Sequence, residues 1–384
     1  MLESLNNINF NNISNNKNIG IEVGFEIQEA SWVKSPFKSI TGRGSDRGIR
    51  TYAIKNAQPY RPRLKAQLSG SGVSGNTDFD ANYDKLEILS QTIYPEVFGN
   101  ALPSQIRAYD EIERIDFIKE ACDSLANWMN EERDKRIIAS LTNDFTNYVY
   151  TPTMSVSAIR KAIFLARNGL KEDNSKAFPI KPIRADMVSV GDVVVQNTSY
   201  IIFLDSYQAN QLKKDADFKE LRKLYALASE DKGILYQGLL GVIDNCPVVD
   251  AGVWNKLNVG MPNSTISESE FKHYINKANA NSIVSPGQLK EKIKAKNKEK
   301  GIKEIKEIKE ISIGCLIGAS SILLAGSENT NFYIDETKDA GRKSVVGVDC
   351  ILGVSKAKYQ SSDGVNTPYD NQDFAVIGLV SNME

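Results

Sequence analysis

The stretch DEIERIDFIKEACDSLANWMNEERDKRIIASLTN, residues 110–143, carries the strongest structural signal in the chain. Asp110 and Glu113 fit a capping box, and acids in a first turn suit the positive end of a helix dipole. We predict a helix from about 110 to 143, about 50 Å long at roughly 1.5 Å per residue. Apolar residues recur on one face at helical spacing: Ile115, Ile118, Cys122, Leu125, Ala126 and Met129.

The second half of this predicted helix is densely charged, with six charged residues in a row from Glu131 to Arg136. Arg133 and Arg136 interrupt the apolar stripe. One interpretation is that the helix leaves the core here and is solvated, and the other is that these charges pair between subunits. Arg133, Asp134 and Arg136 are therefore candidate subunit contacts.

Composition excludes several classes of protein. The chain has 384 residues, with 47 Lys and Arg against 48 Asp and Glu, so its formal net charge is −1. A general binder of polyanions would be strongly basic. There is a single histidine, His273, and it has no cysteine, histidine or clustered acids around it, so we expect an ordinary packing or surface role.

The four cysteines, Cys122, Cys246, Cys315 and Cys350, are far apart and form no C-x-x-C pair. They are typical of buried thiols in a reducing compartment. No stretch resembles a signal peptide or reaches the ~20 apolar residues that span a bilayer, so we expect no membrane partner.

Upstream of the long helix, the sequence predicts little core of its own. Eight of the first twenty residues are Asn, which indicates a flexible arm. A glycine and arginine loop at 42–48 lacks the order of a phosphate-binding loop. Residues 49–99 predict an extended two-stranded excursion with a glycine-rich tip at 70–76. Another surface has to cover such an excursion.

Downstream, residues 155–254 predict a compact α/β unit, with helices at 155–170 and 206–227 and short apolar strands between and after them. Carboxylates lie at the ends of these strands, where an α/β enzyme would place acid–base groups. No nucleophile or base accompanies them, so we expect turn and capping roles: Asp186, Asp192, Asp205 and Asp244.

The segment 255–312 differs in composition, since 290–310 contains nine Lys and five Glu. A stripe of Ile302, Ile305, Ile308 and Ile311 predicts a helix there. A solvated surface helix is one interpretation, and a basic contact to packaged nucleic acid is the other, although the interleaved Glu cancels much of the field. Alternation at 346–354 and an apolar run at 374–380 predict closing strands.

Catalytic motifs are missing from the sequence. It has no G-x-S-x-G elbow, no H-E-x-x-H, no dinucleotide fingerprint after a strand and no Cys/His pair. The pattern instead gives an arm, an extended hairpin, a long helix, an α/β unit and closing strands. Protruding elements without their own core are stable when neighbouring subunits bury them, which indicates a self-assembling structural protein.

Several stretches resemble the major capsid proteins of tailed bacteriophages with the Hong Kong 97-type coat fold, in particular podovirus-like coat proteins. The similarity runs in order from about Arg50 to the end of the chain. The matching stretches are LSGSGVSG at 68–75 with YDKLE at 83–87, SLANW at 124–128 with Asp134, GVI at 241–243 with PVV at 247–249, CLIGA at 315–319 with AG at 325–326, GVSKAKY at 353–359, and DFAVI at 373–377.

The resemblance implies an α+β fold with five parts. These are an N-terminal arm at 1–48, an E-loop at 49–102, a P-domain spine helix at 103–150, an A-domain at 151–330 with a charged insertion at about 255–312, and P-domain strands at 331–384. Asp205 stands where the family has a histidine-containing segment, and 255–312 is largely unmatched. Cross-linking, known in the type member, is not carried over, because no Lys and Asn pair aligns.

The function that the resemblance implies is self-assembly into hexamers and pentamers of an icosahedral phage head enclosing double-stranded DNA. The expected partners are further copies, a portal protein, scaffold or cement proteins as further candidates, and DNA by non-specific contact at most. No enzyme activity, cofactor or metal is expected, and the expected location is the virion shell, assembled in the host bacterial cytoplasm. An encapsulin-like compartment is the alternative, and an α/β enzyme is a third. Subunit-contact candidates are Gly70, Gly72, Gly75, Tyr83, Arg133, Asp134 and Arg136.

Overall fold

The computed structural model describes residues 17–33, 35–65, 73–74, 88–104, 117–190, 193–228, 238–252, 268–275, 284, 286–299, 310–327, 330–361 and 369–383. Seven α-helices lie within these ranges. They are α1 (Lys17–Val33), α2 (Phe117–Thr142), α3 (Val156–Asn168), α4 (Ser206–Lys214), α5 (Ala216–Ala228), α6 (Glu268–Tyr274) and α7 (Pro286–Glu299). None of the described helices is long and apolar enough to cross a membrane.

Strands from both ends of the chain form the first six-stranded sheet. Its order is β1-β2-β13-β15-β14, and β5 pairs with β15 beside this path. The 14-residue strand β15 holds the sheet together, because it pairs antiparallel with β5, β13 and β14. The strands are β1 (Thr41–Gly42), β2 (Ile49–Ala53), β5 (Glu96–Pro103), β13 (Ile322–Gly326), β14 (Asn331–Lys338) and β15 (Lys343–Lys356).

The second six-stranded sheet has the order β10-β11-β9-β12-β17-β6. Asp244 and Asn245 connect β10 to β11, and both have positive φ (49° and 66°), as a two-residue hairpin turn requires. Both faces of β12 are buried along its whole length. The strands are β6 (Tyr148–Thr151), β9 (Ile201–Leu204), β10 (Leu239–Ile243), β11 (Cys246–Asp250), β12 (Ile311–Ile317) and β17 (Val376–Asn382).

Two smaller sheets complete the strands of the described residues. The hairpin β7 (Ile183–Val190) and β8 (Val193–Ser199) forms one of them. The other has the order β16-β4-β3, with β3 (Arg63–Lys65), β4 (Ile88–Ser90) and β16 (Gln360–Ser361). Strands β3 and β4 are antiparallel. This confirms that the predicted excursion is two-stranded at its base.

The long helix α2 is confirmed, although the expected start at 110–116 lies outside the described residues. Leu125 and Met129 pack with α1 and the first sheet, through Val346 and Val348. The following turns join a different cluster, in which Ile137 lies with residues of both sheets. The helix therefore connects the cores of the two sheets.

Several details differ from the sequence interpretation. Helix α1 was not predicted. The predicted helix at 206–227 is two helices, because Asp215 is extended between them and its carboxylate accepts from the Val156 amide at the start of α3. Ile311 begins β12 and does not continue a helix, while the preceding stripe at 302–308 lies outside the described residues.

Sheet membership also crosses the expected boundary at residue 330, in both directions. Strand β13 precedes residue 330 but belongs to the first sheet, whereas β17 lies beyond 330 and belongs to the second. The charged insertion likewise contributes to the core, because Phe271, Leu289 and Ile293 are buried in the same cluster as Ile137. It is therefore not a purely solvated addition to the surface.

Candidate functional site

The predicted contact residues of the excursion tip lie outside the described residues: Gly70, Gly72, Gly75 and Tyr83. The base of the excursion is described. Arg61 donates through Nε and Nη2 to the Ser90 hydroxyl at 3.0 and 2.7 Å, which joins the two arms. The rings of Tyr52 and Tyr60 contact each other, with centroids 5.0 Å apart. The excursion thus leaves the body through a packed neck.

Both ends of this excursion return to the first sheet. Strand β2 pairs in parallel with β13, and β5 pairs with β15 over eight residues. Val97 on β5 is 59% exposed and Tyr333 on β14 is 53% exposed. A shallow groove of about 570 Å³ runs across β5, β15 and β14, past Gly99 and Gly347. The described subunit therefore exposes apolar surface on the sheet that anchors its excursion.

The charged half of α2 is not solvated at Arg133 and Asp134, which are 4% and 2% exposed. The prediction of a solvated exit from the core is wrong for these two residues. The Arg133 guanidinium lies 3.4 Å from the centre of the Trp32 ring and donates to Ser31 Oγ and to its backbone oxygen, at 3.0 and 2.7 Å. Asp134 Oδ1 accepts from the Ser35 hydroxyl at 2.7 Å. Both side chains hold the N-terminal segment of their own subunit.

Burial changes the proton affinity of both groups. It lowers the pKa of Arg133 to about 10, with Asp134 opposing the shift. It raises the pKa of Asp134 to about 6, against the field of Arg133 and the Ser35 hydrogen bond. Arg136 is partly exposed, and its guanidinium lies 5.0 Å from the centre of the Phe98 ring. Of the three charged candidates, Arg136 alone keeps exposed surface for a neighbour.

A second buried charge cluster, not predicted, joins three segments. Lys356 Nζ lies 2.9 Å from Asp373 Oδ1, with the two side chains 1% and 0% exposed. Lys358 Nζ lies 3.0 Å from Asp144 Oδ2 and 3.8 Å from Asp373 Oδ1. We call these four residues the clasp. It connects the end of β15, the loop after α2 and the residues that lead into β17.

The charge in the clasp is balanced, with two lysines and two aspartates. Burial lowers the pKa of Lys356 to about 8, and Asp373 opposes that shift. The Phe145 ring centre lies 4.6 Å from Lys356 Nζ, and the Asp144 backbone oxygen accepts from it at 3.2 Å. The sequence carries one signal for this arrangement. Lys356 continues the even-numbered, buried face of Val346, Val348 and Val354.

Of the predicted strand-end carboxylates, Asp205 and Asp244 have capping and turn roles, whereas Asp192 lies outside the described residues. Asp205 lies at the N-cap of α4 and is fully buried, and its Oδ2 accepts from the Ser312 hydroxyl at 2.8 Å. Asp244 forms the hairpin turn and an exposed pair with Arg160 at 3.3 Å. Within the described residues, no group of three or more His, Cys, Asp or Glu side chains is arranged to hold a metal ion.

Comparison with known proteins covers the whole chain. It is 76% identical over all 384 residues to the "Major structural protein ORF14" of Helicobacter pylori bacteriophage KHP30, matching 100% of both chains. The chain belongs to the major capsid proteins of tailed bacteriophages. No protein-family model matches it.

Solved capsid structures agree with this assignment. The capsid protein is 75% identical to a chain of the head of Helicobacter pylori bacteriophage KHP40, with a TM-score of 0.80 over 98% of this chain and 100% of that one. It is also 76% identical to a chain of the acidic stable capsid of Helicobacter pylori bacteriophage KHP30, with a TM-score of 0.76 over 99% of this chain and 100% of that one. The capsid of Ralstonia phage GP4 shares the fold at 14% identity, with a TM-score of 0.63 over 91% and 92%. The α+β capsid fold is therefore confirmed.

In this capsid protein the contact candidates divide into three groups, one of which is Arg136 alone, partly exposed over the Phe98 ring. The four at the excursion tip stay predictions, since they lie outside the described residues. Arg133 and Asp134 have partners within their own subunit, in α1 and the segment after it. Sequence reasoning missed Trp32 as the partner of Arg133. Its signal was weak, because the buried side chains described in α1 are few: Val23, Ile27 and Ser31.

Proposed function

We propose that many copies of this capsid protein assemble into hexamers and pentamers of an icosahedral head that encloses double-stranded DNA. The observation that carries the proposal is the full-length similarity to phage head chains, at 75–76% identity. The portal protein and DNA are proposed partners, scaffold or cement proteins are further candidates, and assembly in the bacterial cytoplasm belongs to the same proposal.

The proposed assembly uses the excursion at 49–102 as an E-loop lying over an adjacent subunit. Its packed neck supports this role, since Arg61 and Ser90 join the two arms at the base of the excursion. Apolar area buried against a neighbour contributes about 25 cal/mol per Å². Because each subunit repeats the contact around a closed shell, individually weak interfaces add up to a stable particle.

The five proposed parts follow from the family resemblance, and the contacts of the structure support two of them. Residues 103–150 act as the spine, because α2 packs against both cores. Residues 1–48 contribute an arm whose helical portion is tied to that spine through Ser31 and Ser35. We propose Arg136, whose partly exposed guanidinium lies over the Phe98 ring, as a subunit contact.

Electron microscopy of the assembled full-length protein tests the proposal. We expect uniform shells with six-fold and five-fold capsomers, and a stable monomer or dimer at high concentration would contradict it. Nuclease-protected double-stranded DNA in particles from infected cells separates a phage head from an encapsulin-like compartment. The phage capsid relatives favour the head.

Deletion of residues 69–76 tests the excursion separately. We expect the subunit to remain folded by circular dichroism, because the tip lies beyond the neck, but to assemble poorly. Six of these eight residues are already Gly or Ser, so a control chain with Val73→Ser and Asn76→Ser keeps the length and removes the two other side chains. It separates the effect of loop length from that of side-chain contacts. Normal shells from the deletion would remove the E-loop assignment.

A further inference from the structure

A small cavity of about 40 Å³ lies between α1, α2 and the first sheet. Its lining includes Gln28, Trp32, Thr330, Cys350 and the guanidinium-bearing side chain of Arg133. A cavity needs about 10–15 Å³ of such volume per water molecule, so this one has room for a small ion or two to three waters. It is too small for a nucleotide or a sugar.

Arg133 brings an incompletely satisfied positive charge to this cavity. Its two terminal nitrogens donate to Ser31 and Asn130, but Nε is buried without an acceptor among the described residues. Its neighbour Asp134 turns its Oδ1 to Ser35, and no carboxylate of the described residues pairs with the guanidinium. The nearby Asp134 offsets the burial of the guanidinium in part, but the buried Nε–H still lacks an acceptor among the described residues, so an acceptor with negative charge is favoured here.

A second guanidinium, that of Arg136, adds to the positive electrostatic potential at Cys350. Arg133 and Arg136 both act to lower the pKa of Cys350, which lines the cavity, while burial raises that pKa to about 12 and Asp349 adds to the rise. Arg136 approaches through the ring of Phe98, another lining residue. Asp134 and Asp349 balance the two guanidinium groups in number, but of these four side chains Arg133 is the one that lines the cavity. An anion in the cavity would therefore meet a positive group first.

We propose that this cavity is a binding site for a small monovalent anion of halide size, held by Arg133 Nε–H. The anion neutralises the buried charge and completes the contact between α1 and the spine helix. The site does not depend on the proposed assembly, because all of its lining residues belong to one subunit.

Thermal unfolding of the full-length protein in sodium chloride and in sodium gluconate of equal ionic strength tests the site. Gluconate is too large for the cavity. Above the dissociation constant, each tenfold rise in chloride should increase the folding equilibrium constant about tenfold. We expect Arg133→Met to abolish this dependence, and Cys350→Met, which fills the cavity, to do the same.

Arg342→Met is the control, because Arg342 is exposed and pairs only with Asp339 among the described residues. This variant should keep the chloride dependence. A general effect of salt on stability would act on all variants alike and would overturn the proposal. So would equal unfolding midpoints of the unmodified chain in chloride and gluconate, as expected if only water occupies the cavity. If Arg133→Met does not fold, Cys350→Met decides.

Discussion

Replacing Lys356 with Met should destabilise the subunit far more than the same replacement at the surface. Lys356 Nζ and Asp373 Oδ1 are 2.9 Å apart, with side chains 1% and 0% exposed. Removing one partner of a buried pair leaves the other charge uncompensated, which costs about 3–5 kcal/mol. Lys358, at 3.8 Å from Asp373, offsets part of that cost, so we expect about 3 kcal/mol.

Lys161 provides the matched control. Its Nζ lies 2.8 Å from Glu172 Oε1, but the lysine side chain is 48% exposed. Solvent screens such a pair, so Lys161→Met should cost at most about 1 kcal/mol. Both changes remove one ammonium group and keep an unbranched chain, so burial of the pair is the main difference between them.

Urea unfolding of the full-length chain, followed by tryptophan fluorescence, measures both variants. We expect a lower midpoint for Lys356→Met with an unchanged dependence on urea, since the surface exposed on unfolding stays the same. Adding salt should leave the difference between the variants almost unchanged, because the clasp is shielded from solvent. Equal losses of stability in the two variants would refute the reasoning.

Two further predictions concern the second sheet and the glycines. Burial raises the pKa of Asp205 to about 6 from 3.8, with the carboxylate of Asp250 adding to the shift, so the folded state binds this proton more tightly. Protonation of Asp205 therefore stabilises the folded state increasingly as pH falls from about 6 to 4, and this stabilisation is lost as pH rises. In urea unfolding, Asp205→Asn should reduce the change of the unfolding free energy between these pH values by up to about 3 kcal/mol. The same pH dependence in the variant and the unmodified chain would contradict this. Gly314→Ala should lower the free energy of unfolding by at least about 1–3 kcal/mol, because the added Cβ would lie 2.6 Å from the Phe203 backbone oxygen. In Gly347→Ala the added Cβ would lie 3.4 Å from its nearest neighbour, so this control should fold normally. Equal thermal midpoints would count against this comparison.

The sequence predicted elements better than contacts. The apolar spacing of Leu125 and Met129 predicts α2 directly, since a helix repeats its neighbours every three or four residues. Helix α1 was missed because the Asn-rich opening indicates a flexible arm, and Gly24 is a poor helix former. In the structure, a Cβ at Gly24 would overlap the Thr330 backbone oxygen, so close packing explains the glycine. That reason lies about 300 residues further along the chain and is invisible locally.

The charged residues show the same limit. Nothing near Arg133 in sequence indicates burial, because its partner Ser31 lies 102 positions away. Lys356 could be placed on the inner face of β15 by alternation, yet alternation does not identify Asp144, whose backbone oxygen is 212 positions away. Local sequence patterns determine the face of the helix or strand on which a side chain lies. The long-range topology of the fold determines which residues that side chain contacts.

The attachment of the excursion to the first sheet has a mechanical consequence. Strand β5 continues directly from the excursion and is antiparallel to β15 over eight paired residues. A pull directed along β5 is perpendicular to its hydrogen bonds, so it shears the whole ladder at once instead of opening one pair after another. The parallel pairing of β2 with β13 resists the same pull at the other end. Tension between neighbouring subunits would thus be shared by many bonds in each sheet, and the arm should yield before its anchor does.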